Sequence, residues 1–185
     1  MKIELFEPKN EILKKYIKFI YFLTHSEKEE DPESKIVFLA NNTHCSSTDN
    51  YYGKTAGYFL KRIVNNDYIS IGTIANEGYY TAQDFNLEKT TTDDKGFFTS
   101  SEFTSKNVTS DNQLHAAPIS SIEHYLKKMD KRSLLVELPK EPLNMAIRDI
   151  GLVVRECEQF SQSNITIYDY LIYVDHASAT KIIPY

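Results

Sequence analysis

Hydrophobic residues recur at helical spacing in three segments of the chain. They lie within residues 12–23, within residues 56–64 ahead of the polar Asn65-Asn66-Asp67, and within residues 122–129. The last segment follows Ser120-Ser121-Ile122-Glu123, which matches a capping box. Because positions three and four residues apart lie on one face of a helix, each segment predicts an amphipathic helix.

Other apolar residues form short continuous runs, which are typical of buried strands. These predicted strands lie at residues 36–40, 134–138, 150–154 and 165–174, with briefer extended pieces at 68–71 and 78–81. Helices are concentrated towards the N-terminal half and strands dominate the last third. This order predicts an α+β fold with a mixed or mostly antiparallel sheet.

A chain of 185 residues is long enough for one domain with a complete core. We therefore expect a single domain over residues 1–185, with an N-terminal helical segment at 1–35 and a catalytic-like core at 36–174. Residues 86–113 are rich in Ser, Thr, Asp, Asn and Lys. They predict a long polar loop or a weak hairpin, placed to serve as a lid or a recognition element.

Charge and composition limit which partners we expect the protein to bind and where in the cell we expect it. The net charge is −5, so an overall basic field for nucleic acid is missing, and the lysines near residues 127–132 are read as a solvated helix edge. The sequence shows neither a signal peptide nor an apolar run of about 18–20 residues, which predicts a cytoplasmic protein without membrane association. Two cysteines are too few for a zinc cage, and no metal is predicted.

Three short motifs suggest chemistry. His44 precedes Ser46, Gly78-Tyr79-Tyr80-Thr81 follows, and Glu156 stands ahead of the long apolar run at residues 165–174. The order of His, Gly-x-Tyr and Glu resembles the ADP-ribosyltransferases of the diphtheria-toxin-like, His-Tyr-Glu class. The resemblance implies that fold, with NAD⁺ as substrate and ADP-ribose transferred to a protein, nucleic-acid or small-molecule acceptor.

The same resemblance implies roles for individual residues. His44, with Ser46, would bind the adenosine-side ribose, while Tyr80 would stack on nicotinamide with Tyr79 as the alternate. Glu156 would be the catalytic carboxylate, and Glu158 is its rival two positions on. The chain departs from the family at Cys45, where a glycine usually follows the histidine.

Two alternatives from other classes remain open at the level of sequence. His44 and His176 each fit the pattern His-x-Ser, which is similar to the paired motif of 2H phosphoesterases, where two histidines act as base and acid. The other alternative is a non-enzymatic, acidic protein-binding module of the immunity or regulatory type. Its contact surface would use the 13 tyrosines of the chain.

Overall fold

The computed structural model describes residues 31, 33, 35–49, 54–83, 108–148 and 159–180. The chain divides into two compact units. The first consists of Met1–Gly72 and Thr166–Tyr170, and the second of Thr73–Ile165 and Leu171–Tyr185. The predicted helix at residues 12–23, the predicted strand at 150–154 and Glu156 lie outside the described residues.

The first unit contains the described helices of the N-terminal half. Helix α1 spans Asn42–Cys45, helix α2 spans Ala56–Val64, and a 3₁₀ turn at Asn65–Asp67 follows. The predicted helix over residues 56–64 is confirmed, with Ala56, Phe59 and Leu60 on its buried side. It ends at Asn65 because this residue adopts a positive φ of 50°, which interrupts the helical backbone.

The remaining elements include two sheets and a short helix. They are strands β1 (Ile71–Gln83) and β2 (Val108–Gln113), helix α3 (Ile122–Lys127), strands β3 (Ser133–Glu137), β4 (Asn144–Arg148) and β5 (Phe160–Asn164), a 3₁₀ turn (Ile165–Ile167) and strand β6 (Tyr170–Ala177). Four strands form a sheet in the order β2-β1-β6-β3, and β4 pairs with β5 in antiparallel fashion. The α+β class is therefore confirmed.

Strand β1 replaces the two short strands that we predicted at residues 68–71 and 78–81. Ile74, Asn76 and Gly78 are buried, whereas Glu77 and Tyr79 are exposed, as expected for a strand with one covered face. The strand predicted at 78–81 lies within β1, whereas of residues 68–71 only Ile71 belongs to it. The prediction missed residues 72–77, where the polar Asn76 and Glu77 interrupt the apolar pattern.

Strand β2 lies at the end of the segment predicted as a polar loop. It runs antiparallel to β1, with Tyr79 opposite Gln113 and Gln83 opposite Val108, and the register shifts between Tyr80 and Ala82. This edge strand is held by backbone hydrogen bonds to β1 rather than by burial of apolar side chains. Its polar sequence therefore gave little indication of a strand. Residues 84–107 lie outside the described residues.

The predicted strand at residues 36–40 is wrong. This segment lacks regular structure, and Val37 and Leu39 are 80% and 88% exposed. A strand needs a neighbouring strand to bond its backbone, which a local apolar run does not supply. His44 accordingly lies in helix α1 rather than at the end of a strand.

The later predictions are partly correct. The run at 134–138 corresponds to β3, whereas the run at 165–174 is divided into a 3₁₀ turn and strand β6. Asp169 causes the division, because its Oδ2 accepts a hydrogen bond of 2.7 Å from the Ser70 backbone N–H. The predicted helix is confirmed, but its N-cap is Ser121 rather than Ser120 of the predicted capping box: the Ser121 side chain accepts from the His124 N–H at the start of α3.

Candidate functional site

Arg148, at the end of β4, organises the polar interior of the second unit. Its side chain is 5% exposed, and all three of its nitrogens donate hydrogen bonds. The acceptors are the carbonyls of Ala75 (2.8 Å), Asn76 (2.7 Å) and His115 (2.8 Å), and Oε1 of Gln159 (2.7 Å). The guanidinium therefore connects two backbone segments and the Gln159 side chain rather than reaching out towards a ligand.

Glu123 lies beside this arginine on helix α3. Its side chain is fully buried, and Oε1 accepts a hydrogen bond of 2.8 Å from the Arg148 backbone N–H. Its second oxygen, Oε2, is buried without a hydrogen-bond partner among the described residues. Burial raises the pKa of Glu123, because the charged carboxylate loses its water, and the Arg148 N–H only partly opposes this effect.

Asp175 links the central strands β1 and β6 on their covered side. Its Oδ1 accepts from Asn76 Nδ2 at 3.1 Å and from the Tyr173 hydroxyl at 3.0 Å. Burial, followed by the hydrogen bond to Asp175, raises the pKa of Tyr173, so this hydroxyl keeps its proton. The partly buried Asn76–Asp175 hydrogen bond links the two strands, whereas the Tyr173–Asp175 hydrogen bond lies within β6.

The next residue on each strand has an ionisable side chain on the side open to solvent. Glu77 Oε1 lies 3.8 Å from His176 Nδ1, and Glu77 Oε2 lies 3.6 Å from Lys127 Nζ. We refer to Glu77, His176 and Lys127 as the His176 cluster. Their side chains are between 52% and 61% exposed, so a ligand in solution can reach an imidazole, a carboxylate and an ammonium together.

Gly78 brings the two strands into direct contact next to this cluster. A Cβ at this position would overlap the Ala177 carbonyl oxygen and would lie 2.8 Å from the Ala177 nitrogen. Its φ of +116° is also one that side-chain-bearing residues rarely adopt. Because the residues that follow Glu77 and His176 touch through their backbones, these two members of the cluster lie where β1 and β6 pack closely.

The first unit has a different polar centre, the backbone carbonyl of Cys45. It accepts a hydrogen bond of 2.8 Å from the Tyr68 hydroxyl and a second one from the Ser70 hydroxyl. Gly57 packs so closely that an added Cβ would lie 2.5 Å from the same oxygen. Burial raises the pKa of Tyr68 to about 12 and also raises the pKa of the Cys45 thiol. The backbone beside His44 is thus held firmly.

The site that the motifs predicted stays a prediction, because its residues are divided between the two units and the part of the chain outside the described residues. His44 and Ser46 belong to the first unit, Tyr79 and Tyr80 to the second, and Glu156 lies outside the described residues. His44 is exposed. The buried Ser46 hydroxyl donates to the Thr48 carbonyl at 3.0 Å.

Sequence reasoning selected His176 but missed Glu77 and Lys127 as its neighbours. The signal that relates them is the pairing of β1 with β6, whose partners are far apart in the chain.

Among the described residues, no group of three or more His, Cys, Asp or Glu side chains could hold a metal ion. Within the same residues, no helix is both long enough and apolar enough to cross a membrane.

The comparisons with known proteins assign a family. The family model for erythromycin esterase matches residues 21–177, which is most of the chain. The chain therefore belongs to the erythromycin esterase family. A search of curated proteins finds no match.

Two solved structures share the fold. One is a protein from Bacillus cereus, with a TM-score of 0.52, and the other is a succinoglycan biosynthesis protein, with a TM-score of 0.53. Each is 17% identical to this chain, and each match covers 75% of this chain and 32% of the other. The chain thus spans about a third of the length of these proteins.

The family match overturns the ADP-ribosyltransferase resemblance and the NAD⁺-consuming transferase activity that it implied. The resemblance depended on a few residues, and a histidine, a Gly-x-Tyr and a glutamate recur in this order by chance in a tyrosine-rich chain. The family match also removes the support for the phosphoesterase and binding-module alternatives. Binding of NAD⁺ and of an acceptor stays a prediction, but the resemblance to ADP-ribosyltransferases no longer supports it.

Proposed function

We propose that this protein hydrolyses an ester bond. His176 would be the general base that activates water, and the Glu77 carboxylate would orient the His176 imidazole. The observation that carries the proposal is the 3.8 Å approach of Glu77 Oε1 to His176 Nδ1 on the adjacent strands β1 and β6. Membership of an esterase family agrees with this chemistry.

The geometry suits each step of the reaction. With Nδ1 facing the Glu77 carboxylate, Nε2 of His176 can take a proton from water as the water oxygen attacks the carbonyl carbon. The carboxylate then stabilises the imidazolium that forms. When the tetrahedral intermediate collapses, the imidazolium returns its proton to the departing alcohol oxygen. His176 therefore serves as base and then as acid.

The test measures ester hydrolysis by the purified chain. Erythromycin, which the name of the family specifies, and p-nitrophenyl acetate, a simple activated ester, are suitable substrates. Hydrolysis of erythromycin appears in a mass spectrum as the gain of one water. We expect His176→Gln to lower kcat by about 10²–10⁴-fold, the usual contribution of a general base, and Glu77→Gln to lower it by a smaller factor.

Two matched histidine variants serve as controls. His124→Gln changes a half-buried imidazole of α3 and should keep the wild-type rate. His44→Gln changes the exposed imidazole of the first unit, which is the rival base. Loss of activity in His44→Gln together with an active His176→Gln would reassign the base to His44. A folded wild-type chain that hydrolyses neither ester would refute the proposed function.

A further inference from the structure

We infer that Lys127 supplies the positive charge that stabilises the oxyanion of the tetrahedral intermediate, an inference that rests on the proposed ester hydrolysis. Lys127 Nζ lies 3.6 Å from Glu77 Oε2, while the other oxygen of the same carboxylate faces His176 Nδ1 at 3.8 Å. One carboxylate thus holds both the base and a cation. The Lys127 side chain is 53% exposed, so it can reach a bound ester.

The helix that carries Lys127 is well anchored. Lys127 is the last residue of α3, on which Ile122 and Leu126 are buried, and Glu123 binds the Arg148 backbone N–H. The next residue, Lys128, places its ammonium 5.1 Å from the centre of the Tyr125 ring instead. Two adjacent lysines therefore have different surroundings: Lys127 forms an ion pair with Glu77, whereas Lys128 lies over the Tyr125 ring.

The charges of the His176 cluster match the needs of the reaction. Before reaction, the Glu77 carboxylate and the Lys127 ammonium cancel and the reactive imidazole is neutral. As the water oxygen bonds to the carbonyl carbon, the electron pair of the C=O bond moves to oxygen and the water proton moves to His176 Nε2. The cluster with its intermediate again carries zero net charge, because the new oxyanion and the new imidazolium cancel. Without Lys127, an excess negative charge would oppose formation of the oxyanion.

A structural role alone predicts something different. Ion pairs between half-exposed side chains contribute little to stability, so removing the Lys127 ammonium should leave the fold intact. An effect on kcat with an unchanged unfolding midpoint would therefore report on the reaction. The matched variants are Lys127→Met, Lys127→Arg and Lys128→Met.

We expect Lys127→Met to lower kcat for p-nitrophenyl acetate by about 10²–10³-fold, the usual effect of losing one oxyanion-stabilising group. KM should change little, because the ground-state ester is neutral. Lys127→Arg should restore much of the rate, and Lys128→Met should match the wild type. All measurements use the full chain, together with a pH–rate profile.

Three outcomes would overturn the inference. A Lys127→Met variant with the wild-type kcat would leave the proposed hydrolysis standing and remove Lys127 from it. A variant whose rate recovers fully at another pH would show that Lys127 acts only through the protonation of His176. Equal losses in Lys127→Met and Lys128→Met would indicate a general effect of surface charge. Absence of hydrolysis by the wild type would instead refute the proposed function and this inference together.

Discussion

The two units each bury a polar centre, but the centres have opposite chemistry. In the first unit a single acceptor, the Cys45 carbonyl, collects two neutral hydroxyl donors. In the second unit a single donor group, the Arg148 guanidinium, serves four acceptors and carries a charge. The Cys45 carbonyl has two separate donors, whereas the acceptors around Arg148 share one guanidinium, and of them Gln159 Oε1 also accepts from the His115 N–H.

This difference predicts how each unit tolerates change. A carbonyl that loses one of two donors is still hydrogen-bonded, so the penalty is modest. Removal of the guanidinium takes one donor from each of four acceptors at once, and a buried polar group left without a partner costs about 1–3 kcal/mol. We expect the second unit to be the more fragile of the two towards single substitutions of polar residues.

The largest effect should come from Arg148→Met. The substitution keeps an unbranched apolar side chain but removes every donor, and breaking a buried charged network of this kind typically costs about 3–5 kcal/mol. The free energy of unfolding, measured by urea denaturation, gives the value. Arg132→Met, at an exposed arginine, is the control and should be nearly neutral. A loss for Arg148→Met below about 1 kcal/mol would show that water replaces the lost donors.

The two close-packed glycines give a second comparison. In Gly78→Ala the new Cβ meets the Ala177 backbone and the φ of +116° is unfavourable as well, with each effect costing about 1–3 kcal/mol. In Gly57→Ala only the contact with the Cys45 and Ser46 backbone is unfavourable. Helix α2 gains about 1 kcal/mol from alanine in place of glycine.

Thermal unfolding of the two variants should therefore show the larger loss for Gly78→Ala. Equal losses would mean that the positive φ at Gly78 adds little to the cost. A Gly57→Ala variant more stable than the wild type would show that the backbone beside Cys45 can move aside, and that His44 is held less firmly than the contacts indicate.

The elements predicted correctly are those specified by nearby residues. Helix α2 follows from its apolar spacing, and α3 follows from that spacing and the Ser121 cap. The pairing of strands that are far apart in the chain cannot be predicted from nearby residues. Asn76 and Asp175, for example, are 99 positions apart. The polar sequences of β1 and β2 do not by themselves predict strands, because these segments are extended only when they pair with each other.

The same reason limits what the sequence can say about the candidate site. His176 can be selected from its motif, but Glu77 and Lys127 become its neighbours only through the pairing of β1 with β6 and the position of α3. The residues chosen by resemblance, from His44 to Glu156, were related by order along the chain. Order alone does not distinguish one family from another when each motif is a few residues long.

A modest effect is expected for Tyr68→Phe in the first unit. The Cys45 carbonyl loses one hydroxyl but keeps that of Ser70, so the cost should be about 1 kcal/mol. Tyr79→Phe, which removes a hydroxyl from a tyrosine that is 47% exposed, is the control in urea denaturation. Since the pKa of Tyr68 is raised to about 12, ultraviolet titration of the variant should also lose one tyrosine ionisation in this strongly alkaline range. A Tyr68→Phe cost similar to that of Arg148→Met would contradict the redundancy of this centre.

The smallest change should come from Glu123→Gln, because glutamine retains a carbonyl that can accept from the Arg148 N–H. Burial raises the pKa of Glu123 in the fold, so the native state binds this proton more tightly than the unfolded chain. The resulting stability is fully present below the ordinary glutamate pKa of about 4.3 and is lost as pH rises towards the folded-state pKa. Glutamine does not titrate, so the variant should gain stability relative to the wild type as pH rises from about 4 to neutral. Urea denaturation across this range measures the gain, and Glu137→Gln, at an exposed carboxylate, should show no comparable trend. A difference between wild type and Glu123→Gln that stays constant with pH would mean that the buried carboxylate remains charged, stabilised by Arg148 more strongly than burial destabilises it.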